Sequence, residues 1–341
     1  MAGSILIRAY LEFYVKKVLL TGCPGRLGNA VLDALLKKGY DVRLVMKPGL
    51  DASKLPKKAS KRLFLDLAEE GEAPAKLLKQ FVKGTDFVIH IYGQVDYLAP
   101  RKKLFRENFE ATLNLIQACL KAGGVKKFVY TSSTSVFRRP HKLPITEGHP
   151  PTPTNYYGES KLAAEEVVKA SGLPFIILRP TVMVGAEYVS NFKKFISMAA
   201  NGRATIVGDG KNRISWVAVD DVVRAYLLAI EKPVANEDFI IASDKPVRQD
   251  EAIKLLCKEL AVPFAPKHVN AHFAYAVAKA GGLFHKLTGR KPPLVVEEVE
   301  TIAHDRYYDV SKAKRLLGWT PKTTFQKAAH EMVAEWKAHN K

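Results

Sequence analysis

The chain has 341 residues, 47% of them apolar, enough for one large α/β domain or two smaller lobes around a core. No run reaches the roughly 18 apolar residues that cross a bilayer. Three scattered cysteines (Cys23, Cys119, Cys257) exclude a disulfide framework or thiolate metal site and point to a reducing cytosol.

The 53 Lys and Arg against 34 Asp and Glu give a net charge of +19. These cations are dispersed, for example Lys57, Lys58, Lys61 and Arg62, or Arg101, Lys102 and Lys103, or Arg138, Arg139 and Lys142. No nucleic-acid-binding motif accompanies them, so a solvated basic surface is expected and no nucleic-acid partner. The histidines are likewise scattered, with no metal-ligand spacing.

Residues 1–15, "MAGSILIRAYLEFYV", form an apolar N-terminal extension that carries Arg8 and Glu12 and lacks a cleavage-site pattern. It reads as an extension packed on the domain, a tail, or an amphipathic helix on a membrane surface. Then "KKVLLTG" predicts a strand, "RLGNAVLDALLKKG" a helix and "YDVRLVMK" a strand. "KRLFLDL", "DFVIHIY", the helical "FRENFEATLNLIQACLKAG", "VKKFVYTSS", a helix bearing Tyr157, and "PFIILRP" follow. This alternation predicts a Rossmann-type doubly wound parallel sheet. After about residue 182 the pattern loosens, and "NRISWVAVDDVVRAYLLAI" and "NEDFIIAS" are expected to return to the sheet. The expected division is a dinucleotide domain over 16–182 plus about 212–242, and an interleaved substrate lobe over about 183–211 plus 243–341.

"TGCPGRLG" (21–28) follows the first strand and opens the first helix. Gly22, Gly25 and Gly28 permit a tight turn and a close approach to a pyrophosphate, with Arg26 and Leu27 beside them. At the end of the second strand stand Met46 and Lys47 rather than an acid, so NADP(H) is expected over NAD(H), held by Lys47 and Arg26. Asp66, with Leu67 after it, is either an acceptor for the adenine amino group or a solvated loop acid.

Tyr157 and Lys161 are four apart in "YYGESKLAAEE", on one helix face, while Tyr156 points elsewhere. A lysine ammonium there is expected to lower a phenol pKa of about 10 towards the range of general acid–base work.

With "TGCPGRLG", "YTSSTSV", "YYGESK" and "LRP" in order, the chain resembles the extended short-chain dehydrogenase/reductases from about residue 16 to 338. That resemblance implies a catalytic set of Ser133, Tyr157 and Lys161, with Ser133 three residues before Val136. It also implies Asn108 near the cofactor, Pro180 beside the nicotinamide, and often a homodimer. "HFAYAVAKAGGLFHKLTGRKPPLV" (272–295) resembles a segment of 3β-hydroxysteroid dehydrogenase-like and dihydroflavonol reductase-like members; its helix is ordinary core or lines the substrate cleft. Arg213 falls where the diphosphate-binding arginine of sugar-nucleotide epimerases lies, although their Arg-Pro-Gly-Asp run has no counterpart. Where the family has two small residues after the fourth strand, this chain has Tyr92 and Gly93, and Tyr92 is expected to narrow the pocket or bond the substrate.

The expected function is therefore an oxidoreductase interconverting a secondary alcohol and a ketone on a hydrophobic small-molecule substrate. Its location is cytoplasmic, either soluble or with peripheral membrane contact. The alternatives are a nucleotide-sugar epimerase or dehydratase with retained NAD, and a non-catalytic dinucleotide-binding regulator.

Overall fold

The computed structural model describes residues 15–53, 55–59, 61–137 and 142–340. The N-terminal extension apart from Val15, and the Arg138 and Arg139 pair of one basic cluster, lie outside the described residues.

The strands are β1 (Lys17–Thr21), β2 (Asp41–Met46), β3 (Arg62–Phe64), β4 (Phe87–His90), β5 (Lys127–Thr131), β6 (Phe175–Pro180), β7 (Val182–Val184), β8 (Thr205–Val207), β9 (Arg213–Ile214), β10 (Trp216–Ala218), β11 (Glu237–Ile241), β12 (Val247–Arg248) and β13 (Lys267–Val269). The helices are α1 (Arg26–Lys37), α2 (Glu72–Val82), α3, α4 (Tyr156–Ala170), α5 (Val189–Ala200), α6 (Val219–Glu231), α7 (Gln249–Leu260), α8 (Ala271–Thr288), α9 (Val296–Ala303) and α10 (Phe325–Ala338). Helix α3 starts as Arg101–Phe105, widens into a π turn at Arg106–Glu110 and continues as Ala111–Ala122.

Seven strands make one parallel sheet in the order β3-β2-β1-β4-β5-β6-β11. Its inner strands are continuous apolar runs because both faces are covered. One face packs on α1 and α6 through Val31, Leu35, Val222 and Tyr226; the other packs on α2, α3 and α4 through Leu78, Leu115 and Ala164. The chain reverses between β1 and β4, and the register puts Thr21 opposite His90, and His90 opposite Tyr130, at the carboxyl edge. A crevice at such a reversal is where ligands bind in open α/β sheets.

The expectation for "NRISWVAV" needs correction. Its strands do not enter the large sheet: β10 pairs with β7 and β9 with β12, while α6 after them does pack on the sheet. β11 already fills the position beside β6, so these short strands pair outside the sheet. The small lobe has separate cores, one around Ile196, Trp216, Cys257 and Met332 and another around Val207, Ala274, Ala278 and Val299. Tyr308, Val310 and Trp319 pack back into the core beneath the sheet, where the Trp319 indole donates to the Asp221 carbonyl.

Candidate active site

The glycine turn is dictated by sterics. A Cβ on Gly25 would stand 2.5 Å from the Gly22 carbonyl oxygen, and one on Gly28 only 2.4 Å from it. Gly22 itself has φ +93° and abuts Ile91 and Tyr92. The turn leads into α1, whose N-cap, Gly25, offers no side-chain hydrogen bond, so the first-turn N–H groups face the crevice without a capping group. Leu27 is buried beneath. A cradle of bare backbone at a helix N-terminus fits a pyrophosphate.

Next to it lies a charged cluster at the ends of β2, β3 and β4. Lys47 Nζ is 2.7 Å from Glu107 and 3.8 Å from Asp66; Arg106 reaches the same acids at 3.3 and 2.9 Å. Tyr92 donates its hydroxyl to the other Glu107 oxygen. Burial raises Glu107, but the hydrogen bonds from Lys47 and Tyr92 outweigh it and hold the carboxyl below its ordinary range. Asp66 is treated similarly: burial raises it, and the Arg106 hydrogen bond and the Ala68 amide bring it down. Leu67 is buried in the core and presents its carbonyl to Asn114. Arg26, expected to hold a 2′-phosphate together with Lys47, donates to Ser190 and to Asn191 (3.0 Å) and lies over Tyr188. Arg106 is the second cation beside Lys47.

The π turn in α3 explains how Glu107 and Asn108, adjacent in sequence, are both buried. Asn108 Oδ1 accepts from the Gln94 amide at 2.7 Å, and its Nδ2 donates to the Gln94 carbonyl and to Ser160 Oγ. It thereby ties the loop after β4 to α4. Gly93 sits inside this corner, where a Cβ would be 2.6 Å from Asn108 Oδ1 and 3.0 Å from Lys161 Nζ.

A second buried network fixes the same loop. Thr21 Oγ1 accepts from the Ile91 and Tyr92 amides and stands 2.9 Å from His90 Nδ1. With its acceptor positions used, the Thr21 hydroxyl donates to Nδ1, so His90 carries its proton on Nε2 and donates to Thr112, which donates onward to the Asn108 carbonyl. Burial, then the charge of Lys161, push His90 down to about 3, consistent with a neutral ring.

Tyr157 and Lys161 lie on the inner face of α4, both buried, while Tyr156 is exposed. Asn155 caps the helix by accepting from the Gly158 amide. Ser133 lies close to the Tyr157 phenol, and its Oγ accepts from the Ser135 amide and donates to Ser135 Oγ, each at 3.1 Å. Tyr97 meets the Tyr157 ring edge-on at 5.7 Å. Lys161 Nζ donates to the Thr131 carbonyl at 2.9 Å and lies over Tyr130. Burial pushes the Tyr157 phenol up and Lys161 down to about 7. The lowering anticipated on the phenol is not found: burial, then Tyr97, raise it, and Lys161 is not among the groups that act on it. Pro180 ends β6 beside Thr181, whose amide is bound by Ile241.

Arg213 stands apart from this group. It is half exposed, stacks on Tyr307 and donates to that hydroxyl at 2.8 Å. The arginine that reaches the serine loop is Arg306, which donates to the Thr134 and Phe137 carbonyls. Arg306, Arg106, Glu107, His90 and Tyr97 were not singled out from sequence. A histidine inside the apolar run "DFVIHIY" was the one available signal.

Fold and site together define a dinucleotide-binding α/β protein. The chain belongs to the NAD dependent epimerase/dehydratase family, which matches residues 18–242. It is 25% identical over 334 residues to a 2-alkyl-3-oxoalkanoate reductase of Stenotrophomonas maltophilia, covering 93% of this chain and 98% of that one. It is 26% identical over 338 residues to the decarboxylating sterol-4-alpha-carboxylate 3-dehydrogenase of Mus musculus, covering 93% and 90%. Among solved structures it is similar to a Thermotoga maritima UDP-glucose 4-epimerase with UDP-glucose, with a TM-score of 0.74, 22% identity and coverage of 95% and 100%. Among the described residues no helix is long and apolar enough to cross a membrane, and no cluster of metal-ligating side chains occurs.

Proposed function

We propose that the protein is an NAD(P)-dependent oxidoreductase interconverting a secondary alcohol and a ketone on a hydrophobic substrate. The observation that carries this reading is the convergence of Ser133, Tyr157 and Lys161 beside a glycine cradle shaped for a pyrophosphate. The nicotinamide supplies or accepts the hydride when bound. Gly22, Gly25 and Gly28 would hold the pyrophosphate, Asp66 and Lys47 the adenosine end, and Lys161 and Asn108 stand at the nicotinamide end. Ser133 Oγ positions the substrate oxygen, and Tyr157 exchanges the proton with it. An alkoxide is a far stronger base than a phenolate, so the proton runs downhill in the reducing direction even from a phenol raised by burial. NADP(H) is the preferred cofactor in this reading, supported by Lys47 at the end of β2, where an acid would serve NAD, with Arg106 as a second cation in the same cluster.

A panel of long-chain and polycyclic ketones with NADPH and NADH tests the proposal. Tyr157→Phe should lower turnover about 10²–10⁴-fold with cofactor affinity retained; turnover within a few-fold of wild type would sink it. The likeness to a sugar-nucleotide epimerase keeps a second reading in view. A purified protein that retains stoichiometric NAD and is stabilised by a nucleoside diphosphate would favour that reading.

A further inference from the structure

Helix α8 is built inside out. It packs through small residues: Ala274 and Ala278 are buried, and a Cβ on Gly281 would meet Pro292 at 2.8 Å. Its bulky apolar residues face outward instead. Phe273 is 64% exposed and Leu287 78%, with Val277, Leu283 and Phe284 exposed between them. Together with exposed Ala276 and Ala280 they recur at helical spacing, forming one apolar stripe along the whole helix. A monomer in water gains nothing from such a stripe, which marks a surface for something else.

The charges say what that is. From Leu260 to Val296 the sequence contains five Lys and Arg (Lys267, Lys279, Lys286, Arg290, Lys291) and no Asp or Glu. Lys279 and Lys286, one heptad apart, are exposed along one flank of the stripe, and Arg290 and Lys291 are exposed just past its end. An apolar ridge edged by cations matches a bilayer interface with anionic headgroups. A second copy of the chain is a poor match, since a two-fold contact would bring two acid-free basic segments within a Debye length. The same face opens into an apolar cavity of about 200 Å³ lined by Phe195, Met198, Ile253 and Val269 together with Phe273 and Val277 of the stripe.

We propose that α8 is a lipid-docking helix that seats the protein on an anionic membrane surface, with the cavity mouth facing the acyl chains. The proposal is read by binding alone and stands or falls separately from the catalytic reading.

The test is flotation of the full chain with phosphatidylcholine vesicles with and without phosphatidylserine, at low and high salt. Binding should require phosphatidylserine and weaken with salt. The Phe284→Ser/Leu287→Ser and Lys279→Glu/Lys286→Glu double variants should each bind at least about tenfold more weakly, with melting temperature unchanged because all four side chains are exposed. Leu287→Trp should blue-shift its emission on adding anionic vesicles. Absence of flotation at low salt, or α8 variants that bind like wild type, would overturn the proposal. So would binding lost on deleting residues 2–14 but kept in both double variants. Variants that split a dimer without changing vesicle binding would make the stripe a subunit interface instead.

Discussion

Lys161 and Tyr157 share one face of α4, and burial moves them in opposite directions, the ammonium down to about 7 and the phenol up. Lys161 is consequently held near the pH at which it exchanges protons, with the Thr131 carbonyl 2.9 Å away as its fixed acceptor. In the unfolded chain a lysine keeps its proton to about pH 10.4. Between pH 7 and that value the unfolded state binds a proton the native state lacks, so stability rises with pH across this window. Below pH 7 both states are protonated and the full penalty, at most about 5 kcal/mol, is present. Lys161→Met should therefore abolish turnover yet raise stability by about 1–3 kcal/mol at pH 6, with the advantage shrinking as pH rises towards 10. Thermal melts of both proteins without cofactor check this. An advantage that grows with pH would show that the lysine carries no burial penalty.

The corner at Gly93 leaves no room for even one methyl group. Its nearest neighbour, Asn108 Oδ1, is held by the Gln94 amide and cannot swing aside. Gly93→Ala should cost about 1–3 kcal/mol and lower kcat by displacing Lys161. Urea denaturation and steady-state kinetics measure the two effects. Wild-type values for both would mean that the loop after β4 relaxes freely.

Cofactor preference rests on the cluster of Lys47, Arg106, Asp66 and Glu107. Lys47→Asp would place a third carboxylate beside Asp66 and Glu107, repelling a 2′-phosphate and offering an acceptor to a ribose hydroxyl. The ratio of NADP to NAD dissociation constants should move at least about tenfold towards NAD. Fluorescence titration of both reduced cofactors gives the ratio, and an unchanged ratio would place the phosphate elsewhere.

Behind α4, Arg179 holds Glu165 at 2.8 and 2.6 Å and Asp238 at 2.9 Å, joining α4 to β6 and β11. The Glu165 side chain is wholly buried. Arg179→Met leaves that buried carboxylate with Lys169 Nζ, 3.7 Å away, as its nearest cation and should cost about 3–5 kcal/mol, whereas Arg179→Met combined with Glu165→Leu should recover most of the loss. Denaturant midpoints of the two variants decide. Equal losses would show that the ion pair does more than neutralise a buried charge.

What the sequence determined by itself is what short-range geometry controls. The glycine turn was legible because Gly22, Gly25 and Gly28 must lack side chains for the backbone to close on itself within seven residues. The shared face of Tyr157 and Lys161 followed from the helical period, and the parallel sheet from apolar runs alternating with amphipathic helices. The tertiary structure decided the partners. The sequence suggests that Tyr92 narrows the pocket or bonds the substrate; that its hydroxyl bonds Glu107 is set by the π turn in α3, which brings residue 107 inward beside β4. Arg213 falls where sugar-nucleotide epimerases carry their diphosphate-binding arginine, and the fold adds Arg306, which reaches the serine loop through a bridge between Ile214 and Arg306 that joins segments 92 residues apart. Charge pairing across elements depends on strand order and on one irregular helical turn. Neither leaves a periodic signal in the residues that take part.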